Sequence, residues 1–416
     1  MLGLTLMLAL AAPPQNGGSS LETWLAELET RTAARRARAA EVWSAEGPAW
    51  LAGEAHRLQA LLDAAPEIQG PVLTTLEKAL ADGKAASSYP ALLGLLGKVM
   101  NPAGAERLHA LMGALPAAAQ PAAARAVIGR GRPGLWNAGR SLASGAPGPL
   151  RQAAAQALLL VVPEEETLAW AAVLDPAEGE TTGFGETLAA LRNRTLPPAF
   201  ALPPAVYATP DAGLQRDLAR FLLVHPAEGA QSFLVERALD PARPREERAL
   251  FLAGFEAGAQ RFRYRDGERT MEQFLEDAPR SEASEDVAWT LHRLGSRSAK
   301  GFLLEEVERE ARENPESYRA QLALARRQVD VGDHSDAFKN YKKTFEALEG
   351  TAFERSISSD DFVWAARSAA GTRRSKEAGQ WLESSGLNPV ELAAFKDQPE
   401  FASFLDKQPF KRLFGL

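Results

Sequence analysis

Residues 315–347 contain two short amphipathic helical patterns joined by a turn. Apolar side chains recur at helical spacing on each side of Gly332-Asp333, and glycine often follows the end of a helix. The apolar positions are Leu322, Leu324, Ala325 and Val329 in the first pattern, and Ala337, Phe338, Tyr341, Thr344, Phe345 and Leu348 in the second. Neither helix can bury its stripe alone, so the pair must pack against further helices.

Asparagine–proline and aspartate–proline pairs recur ahead of apolar segments. The cap side chain can accept hydrogen bonds from the first turn, and proline lacks an N–H that this turn leaves unused, so each pair predicts a helix start. The pairs are Asn101-Pro102, Asp175-Pro176, Asp240-Pro241, Asn314-Pro315 and Asn388-Pro389, the last with Glu391 closing a capping box. Helix starts at intervals of about 30 residues are expected near Tyr89, Gln120, Leu150, Phe184, Leu214, Glu247 and Asp286.

The remaining sequence also favours helices. Alanine and leucine are abundant, and no run of alternating β-branched residues predicts a strand. At 416 residues the chain exceeds one ordinary compact core. We therefore predict an all-α fold, an elongated α-solenoid of stacked antiparallel helix pairs.

Residues 315–347 resemble a tetratricopeptide repeat. The matching positions are Leu324, Ala325, Gly332-Asp333, Ala337, Tyr341 and Thr344. Gln321 and Gln328 stand where that family has a tryptophan and its first tyrosine, and residues 360–385 form a looser second copy. The resemblance covers residues 311–416 and implies helix pairs whose first helices line a concave surface.

Upstream segments resemble HEAT-type repeats in pattern. Each has a charged start followed by a face of alanine and leucine, as in residues 150–161, 214–224 and 246–255. The predicted organisation is thus a HEAT-like array at residues 21–310 followed by tetratricopeptide-like helices at 311–416. A predicted signal peptide at 1–12 and a linker at 13–20 precede them.

Composition excludes several kinds of chemistry. The chain has no cysteine, which excludes disulfides and thiolate ligands. The five histidines (His56, His109, His225, His292 and His334) stand singly, without the helical spacing of a zinc site. We therefore expect neither a metal nor a cofactor. The balance of 47 basic against 54 acidic residues argues against a nucleic-acid partner.

Residues 261–270, RFRYRDGERT, alternate arginine with aromatic residues. Such a pattern can stack on bases or sugars. Because the patch is short and isolated, we favour a structural element, either a small hairpin around Asp266-Gly267 or an exposed loop.

Two functions are compatible with this pattern. The first is a non-enzymatic scaffold whose concave surface binds a partner protein or peptide. Arg319 and Arg326 lie seven residues apart on the first helix of the repeat-like unit, so they share one face and suit an acidic segment or a C-terminal carboxylate. The alternative is an α/α-toroid enzyme acting on a polysaccharide or a cell-wall glycan, which needs two facing carboxylates. We expect no enzyme.

Residues 1–12, MLGLTLMLALAA, predict export to the periplasm or the exterior; otherwise the protein is cytoplasmic. The run is apolar and too short to span a bilayer, and Ala9-Leu10-Ala11 fits a cleavage signal. We expect the mature protein to begin near Ala12 or Pro13, which N-terminal sequencing of protein from the native host can check. An intact Met1 on the soluble protein would contradict this expectation.

Overall fold

The computed structural model describes residues 33–35, 37–44, 62, 68–82, 89–130, 133–179, 181–197 and 200–415. Every regular element in this part of the chain is helical, without a strand, which confirms the all-α prediction. The chain divides into two compact units, Met1–Phe221 (unit 1) and Leu222–Leu416 (unit 2). Residues 1–12, residues 13–20 and His56 lie outside the described residues, and the predicted boundary at residue 310 stays a prediction.

Unit 1 contains short helices joined by short connections, and residues 37–44 are helical ahead of the first labelled one. The helices are α1 (Gln69–Ala81), α2 (Tyr89–Val99), α3 (Pro102–Leu111), α4 (Gln120–Arg130), α5 (Pro133–Ala143), α6 (Pro149–Val161), α7 (Glu164–Ala171), α8 (Thr181–Leu191), α9 (Pro204–Tyr207) and α10 (Ala212–Val224), inside which the division between the units falls.

Helix α6 is the central element of unit 1. It packs against α4, α5, α7 and α8, and every residue from Gln152 to Leu159 is buried. A helix that is buried on all sides needs partners around its whole circumference. Small alanine side chains at 153–155 let those partners approach closely, whereas Gln152 and Gln156 bring polar groups into the interior.

Unit 2 continues with helices of similar length. They are α11 (Gln231–Leu239), α12 (Arg245–Phe262), α13 (Glu268–Asp277), α14 (Glu282–Arg293), α15 (Arg297–Glu313), α16 (Tyr318–Asp330), α17 (His334–Leu348), α18 (Ser359–Gly371), α19 (Ser375–Ser384), α20 (Pro389–Leu392) and α21 (Phe410–Leu413).

Packing in unit 2 follows chain order. From α13 to α19, each helix packs against the next one in the chain. Alternate helices also touch, namely α11 with α13, α13 with α15, α12 with α14, and α16 with α18. The contacts are therefore local in sequence, between consecutive and next-but-one helices. Four phenylalanines from the C-terminal segment pack against α17, α18 and α19: Phe401, Phe404, Phe410 and Phe414.

One turn geometry recurs three times in unit 2, joining α14 to α15, α16 to α17 and α18 to α19. The second residue after each first helix is left-handed: Gly295 (φ 91°), Gly332 (φ 74°) and Arg373 (φ 63°). Its N–H donates to the carbonyl three residues earlier, and the next N–H donates to the carbonyl five residues earlier. Glycine adopts these dihedral angles without a steric penalty, whereas arginine does not.

Several predicted helix starts are confirmed. Asn101 Oδ1 accepts from the Gly104 N–H at 2.8 Å, and Asn388 forms the expected capping box with Glu391. The starts expected at regular intervals are observed at, or a few residues before, the predicted positions.

Two local predictions are wrong, and one pair of alternatives is decided. Helix α16 starts at Tyr318 with Ser317 as its cap, because Asn314 instead ends α15 with its N–H bonded to the Glu310 carbonyl. Asp240-Pro241 begins a turn, and Asp240 follows the last residue of α11. Of the two alternatives for residues 261–270, the structure has the exposed loop and no hairpin, since α12 continues to Phe262, α13 starts at Glu268, and the residues between them are mostly exposed.

We predict opposite effects for substitutions at equivalent turn positions. Gly332→Ala should lower the free energy of unfolding by about 1 kcal/mol, because alanine is strained at positive φ, and Arg373→Gly should raise it by up to about 1 kcal/mol. Gly301→Ala, inside α15 with open space around the added methyl group, is the control and should stabilise by about 0.5–1 kcal/mol. Equilibrium urea unfolding measures all three, and the same sign for Gly332→Ala and Gly301→Ala would contradict the strain argument.

Candidate functional site

The two arginines predicted to bind a partner lie on one exposed face of α16. Both Arg319 and Arg326 are exposed, and they are two helical turns apart. Arg319 lies at the N-terminal end of the helix, where its Nε donates to Tyr318 Oη at 3.3 Å. Arg326 lies near the middle of the surface between α16 and α18, two helices that pack against each other.

Trp364 of α18 holds the guanidinium of Arg326. The Arg326 Cζ is 4.7 Å from the centroid of the Trp364 ring, and the Cζ of Arg367 is 4.1 Å from the same ring. A cation over an aromatic face gains about 0.5–2 kcal/mol, depending on how far it is desolvated. Trp364, on the neighbouring helix α18, therefore positions the Arg326 side chain.

The neighbouring arginines are balanced by carboxylates. Arg327 forms an ion pair with Glu285 of α14 at 2.7 Å. Arg367 pairs with Glu400 at 2.9 Å, with side chains only 13% and 6% exposed. Within the described residues, neither Arg319 nor Arg326 has a carboxylate within ion-pair distance. Except for the bond from Arg319 Nε to Tyr318, their donor groups are open to solvent. Asp330, one turn beyond Arg326, interacts with Arg326 only beyond ion-pair distance.

Aromatic rings lie beside Arg319. Phe353, in the connection between α17 and α18, is 58% exposed, and its ring centroid is 5.8 Å from that of Tyr318. Nothing in the sequence marks Phe353 as part of this surface. An isolated phenylalanine in a loop carries no periodic signal, and its position depends on how the loop folds over α16.

Titratable groups at this surface are perturbed by their surroundings. Hydrogen bonds with Arg319, which has the larger effect, and with Ser356 lower the pKa of Tyr318. Burial raises the pKa of Asp330, one turn beyond Arg326, although nearby arginines act in the opposite direction. We name the residues Tyr318, Arg319, Arg326, Asp330, Phe353 and Trp364 the α16 surface.

Unit 1 carries a second candidate site, a groove of ≈ 850 Å³. Its walls come from the start of α4, the start of α6 and the loop at residues 177–179. Small apolar residues form much of the lining: Ala117, Ala118, Pro121, Ala146, Pro147, Pro149, Leu150 and Ala153. This volume falls within the range of about 300–1,000 Å³ typical of ligand pockets.

A hydrogen-bond network around Glu178 shapes this groove. The Glu178 carboxylate accepts from the Gly148 N–H at 3.1 Å, from Gln152 Nε2 at 3.0 Å, and from both Nε and Nη2 of Arg151 at 3.0 and 2.5 Å. Burial alone would raise the pKa of Glu178, but these bonds outweigh it and leave the pKa below its ordinary value. The network fixes the loop at 177–179 to the start of α6.

The described residues contain neither a metal-binding cluster nor a helix that could cross a membrane. Among the described residues, no group of three His, Cys, Asp or Glu side chains lies close enough to hold a metal ion. No helix in the described part of the chain is both long and apolar enough to cross a bilayer. Comparisons with protein-family models, with curated proteins and with solved structures found nothing that matches this chain.

We predict that Glu178 contributes to the acid sensitivity of unit 1. Its folded-state pKa lies below the ordinary 4.5, so its stabilising contribution is complete above that pH and is lost as the pH falls through the folded-state pKa. Glu178→Gln should lower the free energy of unfolding by about 1–3 kcal/mol at pH 7 and flatten the loss of stability in acid. Thermal unfolding followed by circular dichroism between pH 7 and pH 3 measures both effects.

The control for this experiment is Glu186→Gln, which replaces an exposed glutamate on α8. It should change neither the stability at neutral pH nor its dependence on acid. Equal behaviour of the two variants would mean that the bonds to Glu178 do not stabilise the fold.

Proposed function

We propose that this protein is a non-enzymatic scaffold, an α-solenoid of HEAT-like and then tetratricopeptide-like helix pairs that binds a partner protein. Support comes from the sequence-local packing of alternate helices in unit 2 and from the turn that recurs at residues 295, 332 and 373. Repeated helix pairs of this kind bury their stripes against neighbours and leave one face of each layer available to a partner.

The α16 surface is the proposed binding site, and the partner is an acidic segment or a C-terminal carboxylate. The observation that carries this proposal is Arg326, which lies over Trp364 and has no carboxylate within ion-pair distance among the described residues. A guanidinium that is already positioned loses little conformational entropy when it forms a two-pronged bond to a carboxylate. The adjacent Arg327 is instead engaged by Glu285, so it offers less to a ligand.

The spacing of the arginines restricts the partner sequence. Two helical turns separate Arg319 from Arg326 by about 10 Å, which an extended peptide spans in about three residues. We therefore propose two carboxylates three positions apart, one of which can be the chain terminus. The exposed ring of Phe353 beside Tyr318 suits an apolar side chain next to the acid that Arg319 binds.

We predict that Arg319→Ala with Arg326→Ala weakens binding of such peptides by at least about tenfold, since two charge-assisted hydrogen-bonding groups are lost. The probes are hexapeptides with glutamates three positions apart, with a free or an amidated C-terminus, measured by fluorescence anisotropy at low and moderate salt. The melting temperature should stay nearly unchanged, because both side chains are exposed.

The matched control is Arg309→Ala with Arg312→Ala, which removes the same charge from exposed positions on α15. This control should bind the peptides almost as well as the wild type does. Unaltered binding by the α16 double variant at both salt concentrations would reject the site.

A further inference from the structure

Gln152 already binds a main-chain segment through its side-chain amide. Its Nε2 donates to the carbonyl oxygen of Val173 at 2.8 Å, and its Oε1 accepts from the N–H of Asp175 at 2.8 Å. A single amide thus pairs with two main-chain groups that are two residues apart, groups that point to the same side of an extended chain. The α6 side of the groove is therefore suited to hold polypeptide backbone.

Gln156 lies one turn further along the same face of α6 and also lines the groove. It is only 2% exposed, and its Oε1 has no hydrogen-bond partner among the described residues. A buried amide acceptor without a donor is unfavourable, because the oxygen has lost its hydrogen bonds to water. A ligand that brings an N–H group to this oxygen would remove that penalty.

We propose that the groove in unit 1 binds an extended segment of a partner polypeptide, with a main-chain N–H of that segment donating to Gln156 Oε1. The geometry at Gln152 is the pattern for this contact, and the groove beside it has a volume of ≈ 850 Å³. The binding site lies in unit 1, whereas the α16 surface lies in unit 2, so each can be tested without the other.

The lining of the groove defines the side chains of the segment. Glu178 already accepts four hydrogen bonds, so it offers no unengaged carboxylate to a basic residue. Alanine and proline side chains provide shallow apolar walls. The segment therefore carries small or branched apolar residues on the side that enters the groove, and recognition depends on its backbone more than on its charge.

Space beside Gln156 is maintained by Gly183 of α8. A methyl group at this position would lie 3.0 Å from Arg125 Nη1 and 3.7 Å from Gln156 Oε1. Glycine inside a helix is less favourable than alanine. Without a side chain, however, Gly183 leaves room for Arg125 and Gln156 beside it. Gly183→Ala should consequently narrow the space at Oε1 without disfavouring the helix.

The test begins with a displayed library of random dodecapeptides, panned against the full-length protein. One enriched peptide is synthesised, and its affinity is measured for the wild type, for Gln156→Leu and for Arg319→Ala with Arg326→Ala. We expect Gln156→Leu to weaken binding about tenfold, the size of one hydrogen bond made in a buried site, while the double arginine variant binds like the wild type.

Stability measurements separate a binding role from a structural one. Gln156→Leu should leave the melting temperature unchanged or raised, because an apolar side chain of similar size replaces an acceptor that lacks a donor. Gln152→Leu is the matched comparison, and it should lower the melting temperature because it breaks three hydrogen bonds. Equal destabilisation by the two variants would show that Gln156 Oε1 is satisfied within the chain, which overturns the proposal.

Backbone methylation identifies the contact itself. Each amide of the enriched peptide is N-methylated in turn. Methylation at one position should weaken binding to the wild type but have little further effect on binding to Gln156→Leu, because the two changes remove the same hydrogen bond. The proposal is overturned if no enriched peptide depends on Gln156. It is also overturned if every enriched peptide depends on Arg319 and Arg326 instead, a result that would leave the function proposed for the α16 surface intact.

Discussion

Each short helix of this protein is stabilised by the helices that adjoin it in the chain. Ala325 of α16 and Ala337 of α17 are fully buried, and their small side chains allow the two helices to approach closely, while Tyr341 fills the space beside them. Isolated helices of 10–15 residues are marginal in water, so packing rather than intrinsic propensity holds them. Because these contacts are local in sequence, each pair depends mainly on its immediate neighbours.

Partly buried ion pairs attach the irregular segments to this helical framework. Arg151 of α6 holds the loop that contains Glu178, and Arg367 of α18 holds the C-terminal segment through Glu400. Removing one partner of such a pair leaves a partly desolvated charge without its counter-ion, which destabilises the fold. The same two arginines adjoin the two candidate sites, so the groove and the α16 surface are shaped by groups that also maintain the fold.

The sequence predicts what depends on local spacing. The apolar stripe through Val329 and Tyr341, the turn at Gly332 and the cap at Asn101 all follow from nearby residues. Arg373 could not be identified as a left-handed residue, because arginine carries no signal for positive φ and tertiary packing imposes it. Ser317 rather than Asn314 caps α16 because the end of α15 had already engaged Asn314, a competition that cap preferences alone do not resolve.

The groove in unit 1 cannot be predicted from the sequence for a related reason. Gln152 and Gln156 have the spacing of polar positions on an ordinary amphipathic helix, and only the packing of α4, α8 and the loop at 177–179 around α6 makes them buried. Similarly, the position of Arg326 on an exposed face follows from helical geometry. Its contact with Trp364 does not, because that contact depends on how α18 lies against α16.

Consecutive arginines on α16 illustrate how helix geometry creates the proposed site. Successive residues point about 100° apart around a helix axis. Arg327 is therefore directed towards α14, where it meets Glu285 and the ring of Trp289, whereas Arg326 is directed towards α18 and Trp364. Arg327 and Arg326 thus connect α16 to α14 and to α18, respectively. Trp364 of α18 positions Arg326. The affinity of a partner that binds this arginine therefore depends on how α18 packs against α16 as well as on the exposed charge.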